Sequence, residues 1–282
     1  MILRRGRGTG TGGALRRHET RWAFLFLAPA LILLGLTVFY PMARALQFSL
    51  YKWLLGAEKT FVGLDNYRRL IFEDGDFHKS VLVTLYFTVL SVLPAIALAL
   101  FVAVLLNGAG LRFRGIFRTI YFVPVVTSLV AVAFVWRALL EPSFGLVNTV
   151  LGWVGINGPG WLASPDWALP GIALMTIWRD MGFYMVIFLA GLQAIPREVT
   201  DAARIDGAGP WRSFWYVTLP LLNPSIVLAA VIGVINGLQL FTQTYVMTGS
   251  PQRLPGGPLG STRSVVLYIV ERTFRPHEMG YG

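Results

Sequence analysis

Residues 81–106 read VLVTLYFTVLSVLPAIALALFVAVLL, without one charged side chain. As a helix rising 1.5 Å per residue, this run is about 39 Å long, enough to cross the roughly 30 Å hydrocarbon core of a bilayer with some tilt. Pro94 interrupts it and the helix-stop pair Asn107-Gly108 closes it, so a span over residues 80–107 is expected. The whole chain agrees with a membrane setting. Of 282 residues, 55% are hydrophobic and 13% charged, and the mean hydropathy is +0.61, too apolar for a soluble domain of this length.

Four more runs flank this one. Trp22 to Tyr40 carries no charge, contains Pro29, and predicts a span over residues 22–43. Its basic start and the Ala43-Arg44-Ala45 triplet resemble a cleaved secretory signal, but the apolar stretch is longer than a usual signal core, which favours an uncleaved anchor. A third span, 117–139, lies between Arg118 and Arg137 with Pro124 near its start. A fourth, 167–195, is interrupted by Arg179-Asp180, and a fifth, 219–247, holds Asn236, Gln239 and Gln243 but no ionisable group. After it only residues 264–270 are apolar, too few to cross.

The charge balance, 24 Lys+Arg against 14 Asp+Glu, gives a net +10. Nucleic acid is not the expected partner, because the aromatics sit in apolar runs and not among the basic residues. Arginines cluster in the tail 1–21 (Arg4, Arg5, Arg7, Arg16, Arg17, Arg21), around Arg112, Arg114 and Arg118, and around Arg197, Arg204 and Arg212. These are alternate connections, and the positive-inside rule puts all three in the cytoplasm, with an N-terminus inside and the loops 44–80, 137–166 and 248 onward outside. The chain contains no cysteine, and His18, His78 and His277 fall outside the long apolar runs, so neither a thiolate site nor an intramembrane histidine metal centre is expected.

The cytoplasmic connection 196–218 continues into the fifth span, and residues 196–220 read PREVTDAARIDGAGPWRSFWYVTLP. Pro196 suits a first helical turn, Glu198 and Asp201 complement the positive end of a helix, and Gly207 with Gly209-Pro210 stops it. Ala202 and Ala203 offer little bulk, so another surface can approach closely, while Asp201, Arg204 and Asp206 offer charges. Trp211, Phe214, Trp215 and Thr218 then recur at helical spacing, as in an interfacial aromatic face. On physical grounds alone, a docking element and an ordinary amphipathic connection fit equally well.

Asp201-Ala202-Ala203, Gly207 and Val217-Thr218-Leu219-Pro220 resemble the cytoplasmic signature loop of binding-protein-dependent ABC permeases, with Asp in place of the usual Glu and Val in place of Ile. Tyr40-Pro41, residues 61–67 (FVGLDNY), 114–118 (RGIFR), 188–196 (FLAGLQAIP) and 203–208 are similar to the sugar-importer branch related to the maltose and glycerol-3-phosphate permeases. Val83 and Thr242 depart from that pattern, where members usually have Asn and Asp. The resemblance implies an all-α, MetI-like ABC permease helix bundle in a bacterial or archaeal cytoplasmic (inner) membrane, spanning residues 22–282, with a sixth span missing after Gly282. It implies a carbohydrate (sugar, oligosaccharide or glycerol-phosphate) moved by alternating access. The implied partners are a second homologous permease subunit in a heterodimer, an ATP-binding-cassette ATPase dimer, an extracytoplasmic solute-binding protein and membrane lipid. Coupling to the ATPase would fall to Glu198, Asp201, Ala202, Ala203, Asp206 and Gly207. The chain has no Gly-x-x-x-x-Gly-Lys-Ser/Thr loop, so no enzyme activity and no cofactor are expected of it; ATP and Mg would be bound by the partner subunit.

For the pathway, Asn236, Gln239 and Gln243 share one face of a continuous helix if the fifth span is unbroken, and amides suit sugar hydroxyls; they equally suit bonds to neighbouring helices. Arg179 and Asp180 must each face protein or water. As adjacent residues they are expected to point apart and not to pair. Trp178 and Tyr245 can stack on pyranose rings or serve as packing and interface anchors. The rival functions are a secondary carrier or channel using Arg179-Asp180 directly, an ABC permease for a non-sugar solute, and a membrane-embedded enzyme, for which the spans lack a reactive cluster.

Overall fold

A computed structural model describes residues 11–54, 56, 58–108, 113–249, 254–275 and 278–282; Arg4, Arg5, Arg7, Arg112 and His277 lie outside them, as do the side chains of Arg16, Arg17, His18 and Arg21. The helices are α1 (Thr11–Leu34), α2 (Tyr40–Ser49), α3 (Asp65–Phe72), α4 (Gly75–Asn107), α5 (Arg114–Val126), α6 (Leu129–Leu139), α7 (Leu146–Trp153), α8 (Pro165–Ala194), α9 (Arg197–Ile205), α10 (Pro210–Ser213), α11 (Leu219–Leu221), α12 (Asn223–Leu238), α13 (Thr242–Thr248) and α14 (Val265–Phe274). The chain divides into two compact units, residues 1–69 with 272–282, and residues 70–271.

In the first unit, the helical run Trp22–Ser49 is long and apolar enough to cross a membrane and extends past the expected end at residue 43. Its side chains from Phe24 to Leu34 are mostly exposed, as lipid contact requires. A π-helical stretch, Gly35–Phe39, joins α1 to α2, with the Tyr40 N–H donating to the Gly35 carbonyl five residues back. Pro41 follows, and the widened turn relieves the clash its ring would make in an α-helix. Beyond α2, strands β1 (Tyr51–Lys52) and β2 (Thr60–Phe61) pair antiparallel, and Asn66 Nδ2 donates to the Ser49 and Tyr51 carbonyls at 2.8 and 3.1 Å.

In the second unit, α4 and α8 are single helices of membrane-crossing length, 33 and 30 residues. The expected spans 117–139 and 219–247 are not continuous. The first is α5 and α6, bent by 98° where Thr127 and Ser128 adopt extended backbone. The Thr127 hydroxyl donates to the Val123 carbonyl at 2.9 Å, satisfying an acceptor that the bend would orphan. The second crossing runs from Pro210 to Leu238 with a 65° bend before α12, through another π-helical stretch, Phe214–Thr218, that again ends just before a proline, Pro220. Thr242–Thr248 is a separate short helix beyond a break at Gln239–Phe241. Among the described residues there are thus three unbroken helices able to cross, or five crossings when each bent pair counts as one.

Small residues allow these helices to approach closely, as in other membrane bundles. On α4, Ala95, Ala99 and Ala103 recur every fourth residue, are almost wholly buried, and belong to one core with Tyr184, Met185, Phe188 and Leu192 of α8 and Ala229 of α12. A Cβ at Gly233 would fall 2.6 Å from Val92, and one at Gly237 2.8 Å from Thr88. Gly182 lies directly against the backbone carbonyl of Tyr121 on α5, which cannot swing aside. A second cluster joins Phe87, Ala133, Leu140, Ile172, Met175, Leu240 and Met247.

Gly182→Leu is expected to destabilise the bundle by about 1–3 kcal/mol or to prevent its assembly. Gly152→Ala, with open space around it, should change stability by less than about 0.5 kcal/mol. Thermal unfolding of the two variants in detergent tests this.

Candidate functional site

Between α4, α8, the end of α12 and the start of α13, the second unit encloses a cavity of about 280 Å³. From α4 it is walled by Phe87, Ser91, Val92 and Ala95, and from α8 by Thr176, Arg179, Asp180 and Tyr184. From α12 and the break come Gly233, Asn236, Gly237, Gln239, Thr242 and Gln243. The α8 residues Thr176, Asp180 and Tyr184 lie four apart and so share one face. Ser91 and Thr176 donate their hydroxyl hydrogens to the Phe87 and Ile172 carbonyls, at 2.8 and 3.0 Å, which leaves the oxygens as acceptors. The Tyr184 ring is 2% exposed, and its hydroxyl is within reach of the Asn236 amide.

Arg179 Nη1 lies 2.9 Å from Asp180 Oδ1, so the neighbours pair, contrary to the expectation from helix geometry, and both line the cavity. The long, flexible arginine side chain reaches its neighbour across the roughly 100° between adjacent helical positions, and mutual neutralisation lowers the cost of placing two charges in a span. The three expected amides do converge, but not as one helical face. Asn236 belongs to α12, Gln239 caps its C-terminus, and Gln243 belongs to α13, so the break between them turns the last amide inward.

The break is held from outside. Ser264 Oγ donates to the Leu240 carbonyl, and Arg137 Nη1 donates to the Val246 and Gly249 carbonyls, at 3.3 and 2.5 Å, at the negative end of α13. Val265 N–H in turn donates to Thr84 Oγ1 of α4 at 3.0 Å.

Two expected pathway residues are elsewhere. Trp178 packs on Trp136, with centroids 5.6 Å apart, and borders an apolar groove of about 530 Å³ in the α5–α6 bend. Tyr245 is half-exposed and rests on Phe241 at 5.4 Å. Sequence reasoning missed Ser91, Thr176, Tyr184 and Thr242; the four-residue spacing from Thr176 through Asp180 to Tyr184 was the available signal.

The connection 196–218 forms the expected short helix, α9, after Pro196. It ends in a Schellman motif: Ala208 N–H donates to the Ala203 carbonyl at 2.9 Å and Gly207 N–H to that of Arg204 at 3.1 Å, with Gly207 at φ +78°. Glu198, Asp201, Ala202, Asp206 and Gly207 are exposed, and Asp201 pairs with Arg204 at 3.1 Å. Ala203 is not available to a partner; at 9% exposure it faces inward. Ile205, unmarked in the sequence reading, is 87% exposed and completes an apolar strip with Val199 and Ala202 at three-residue spacing.

Residues 77–269 match the family described as binding-protein-dependent transport system inner membrane component. The chain is 38% identical to the lactose transport system permease protein LacF of Rhizobium radiobacter, covering 95% of this chain and 88% of that one. It is 34% identical to the trehalose/maltose transport system permease protein MalF of Thermococcus litoralis, covering 90% and 83%. Its fold is similar to a chain of a bacterial alginate ABC transporter crystallised with an alginate pentasaccharide-bound periplasmic protein, with TM-score 0.77, 24% identity and coverage of 95% and 88%. With its bent candidate spans, the short helix α9 between two of them and a polar cavity among the helices, the chain belongs to the family of binding-protein-dependent transport system inner membrane components.

Proposed function

We propose that this chain is a permease subunit of an ATP-driven importer and forms part of the pathway for a carbohydrate. The observation that carries the reading is the cavity itself: at membrane depth, hydroxyl, amide and ionic groups converge where lipid-facing helices would be apolar. Amides donate and accept at once, which suits a solute whose perimeter is hydroxyl groups. The relatives named for lactose and for trehalose/maltose support the same substrate class.

In this reading the N-terminus and α9 are cytoplasmic and the segment after α13 is external. The Val199–Ala202–Ile205 strip, flanked by Glu198, Asp201 and Asp206, docks on a separate ATPase that binds ATP and Mg, since the chain lacks a phosphate-binding loop. A sister permease completes the pathway, and a solute-binding protein delivers the sugar from outside, as the periplasmic partner of the alginate transporter suggests. Closure of the ATPase pair shifts α9 and rocks the spans between inward- and outward-facing states. Moving such an equilibrium from 1:99 to 99:1 takes about 5.5 kcal/mol of differential binding, so the docking contact must be firm in both states.

Three measurements test this. In this naturally cysteine-free chain, Leu259→Cys, at a position 83% exposed, should react with an impermeant maleimide on intact cells. Ile205→Cys should react only after permeabilisation, and the reverse pattern overturns the orientation. Ala202→Trp should leave the unfolding midpoint unchanged but cut uptake about tenfold or more, the equivalent of about 1.4 kcal/mol of docking energy; normal uptake would refute the coupling role. Gln243→Leu should raise the KM for sugar uptake by about 5- to 12-fold, as for the loss of one hydrogen bond of about 1–1.5 kcal/mol, without affecting ATPase assembly.

A further inference from the structure

Arg179 and Asp180 are the two charged groups on the cavity wall; every other lining residue is neutral. They face each other at 2.9 Å, and Arg179 Nε is closed off from solvent without a hydrogen-bond partner. A guanidinium alone in such a place is a strong receptor for carboxylate, sulfonate or phosphate. With Asp180 on its Nη1, the same group becomes part of a donor–acceptor pair of zero net charge, able to accept from one sugar hydroxyl and donate to another.

We propose that Asp180 is a specificity-determining residue: by cancelling the Arg179 charge it tunes this wall of the cavity to uncharged polyhydroxylated solutes and against anionic sugars. The proposal rests on the carbohydrate reading above and adds the charge class of the substrate. The geometry makes Asp180 the group responsible, because the cavity wall holds no second carboxylate to take over. Its position on α8, one turn from both Thr176 and Tyr184, sets it in the centre of the polar face.

The experiment uses the assembled importer in lipid nanodiscs, without the external binding protein, so that the membrane site alone selects. The probes are methyl glucoside and methyl galactoside against the matching methyl glucuronide and methyl galacturonide, which exchange a hydroxymethyl for a carboxylate. Wild type should bind the neutral member of each pair about tenfold or more tightly, and D180N should reverse that order. R179Q/D180N, again without net charge, should return to the neutral preference. Equal or tighter binding of the uronides by wild type overturns the proposal. So does a D180N protein with an unchanged unfolding midpoint and an unchanged preference. If D180N does not fold, wild type and the double variant decide, and a uronide preference in either is fatal. Equal binding of both classes refutes the charge-balance proposal alone, whereas binding of neither class refutes the carbohydrate reading and this proposal with it.

Discussion

Hydrocarbon offers no hydrogen bonds, so every peptide group at membrane depth must find its partner within protein. Continuous helices such as α4 and α8 meet nearly all of this demand by themselves, save where Pro94 and Pro170 remove an N–H. The hydroxyls of Ser80, Thr84, Thr88 and Ser91 each return their proton to a carbonyl four residues back, at 2.8–2.9 Å, so even the polar stripe of α4 is internally satisfied. At three places where the chain abandons the helix, a side chain stands in for the lost bond: Thr127 at the α5–α6 bend, Ser264 at Leu240, and Arg137 at the end of α13. The irregular backbone at Gln239–Phe241 lies where it borders a polar cavity, not where it would meet lipid.

The same constraint explains which features could be read from the residues. Runs such as 81–106 declare themselves because the lipid-facing surface of a crossing helix must be apolar. The break at Leu240-Phe241 does not, since nothing in that dipeptide forbids helix; the Leu240 carbonyl is held by Ser264, 24 residues further on, while Arg137 on another element holds the far end of α13. The three amides were identified by a periodicity that assumes one straight helix, and they meet because the chain bends. Trp178 and Tyr245 attracted attention as aromatics near spans, yet Trp136 and Phe241 occupy them. Helical geometry separates neighbouring residues at Cβ, but the length of an arginine side chain overrides it at Arg179-Asp180.

Packing and site share residues. Gly233 and Gly237 bring α12 against Val92 and Thr88 of α4, and both glycines also form cavity wall. The missing side chains serve two ends at once, close helix approach and open space beside Asn236. In α9 the division is cleaner: Ala203 turns inward, while Val199, Ala202 and Ile205 remain outside, so of two adjacent alanines one is buried and the other exposed.

The π-helical stretches ahead of Pro41 and Pro220 have an effect that reaches past the prolines. Each wide turn contains one residue more than an α-helical path needs, and each added residue advances the helical phase by about 100°. Side chains on the two sides of residues 214–218 therefore keep different angular counts, with Trp211 on one and Leu221 on another. Excising a single residue there would rotate α10 relative to α11 by roughly a quarter turn about their shared axis. The azimuth of α10 is thus written into the length of one turn.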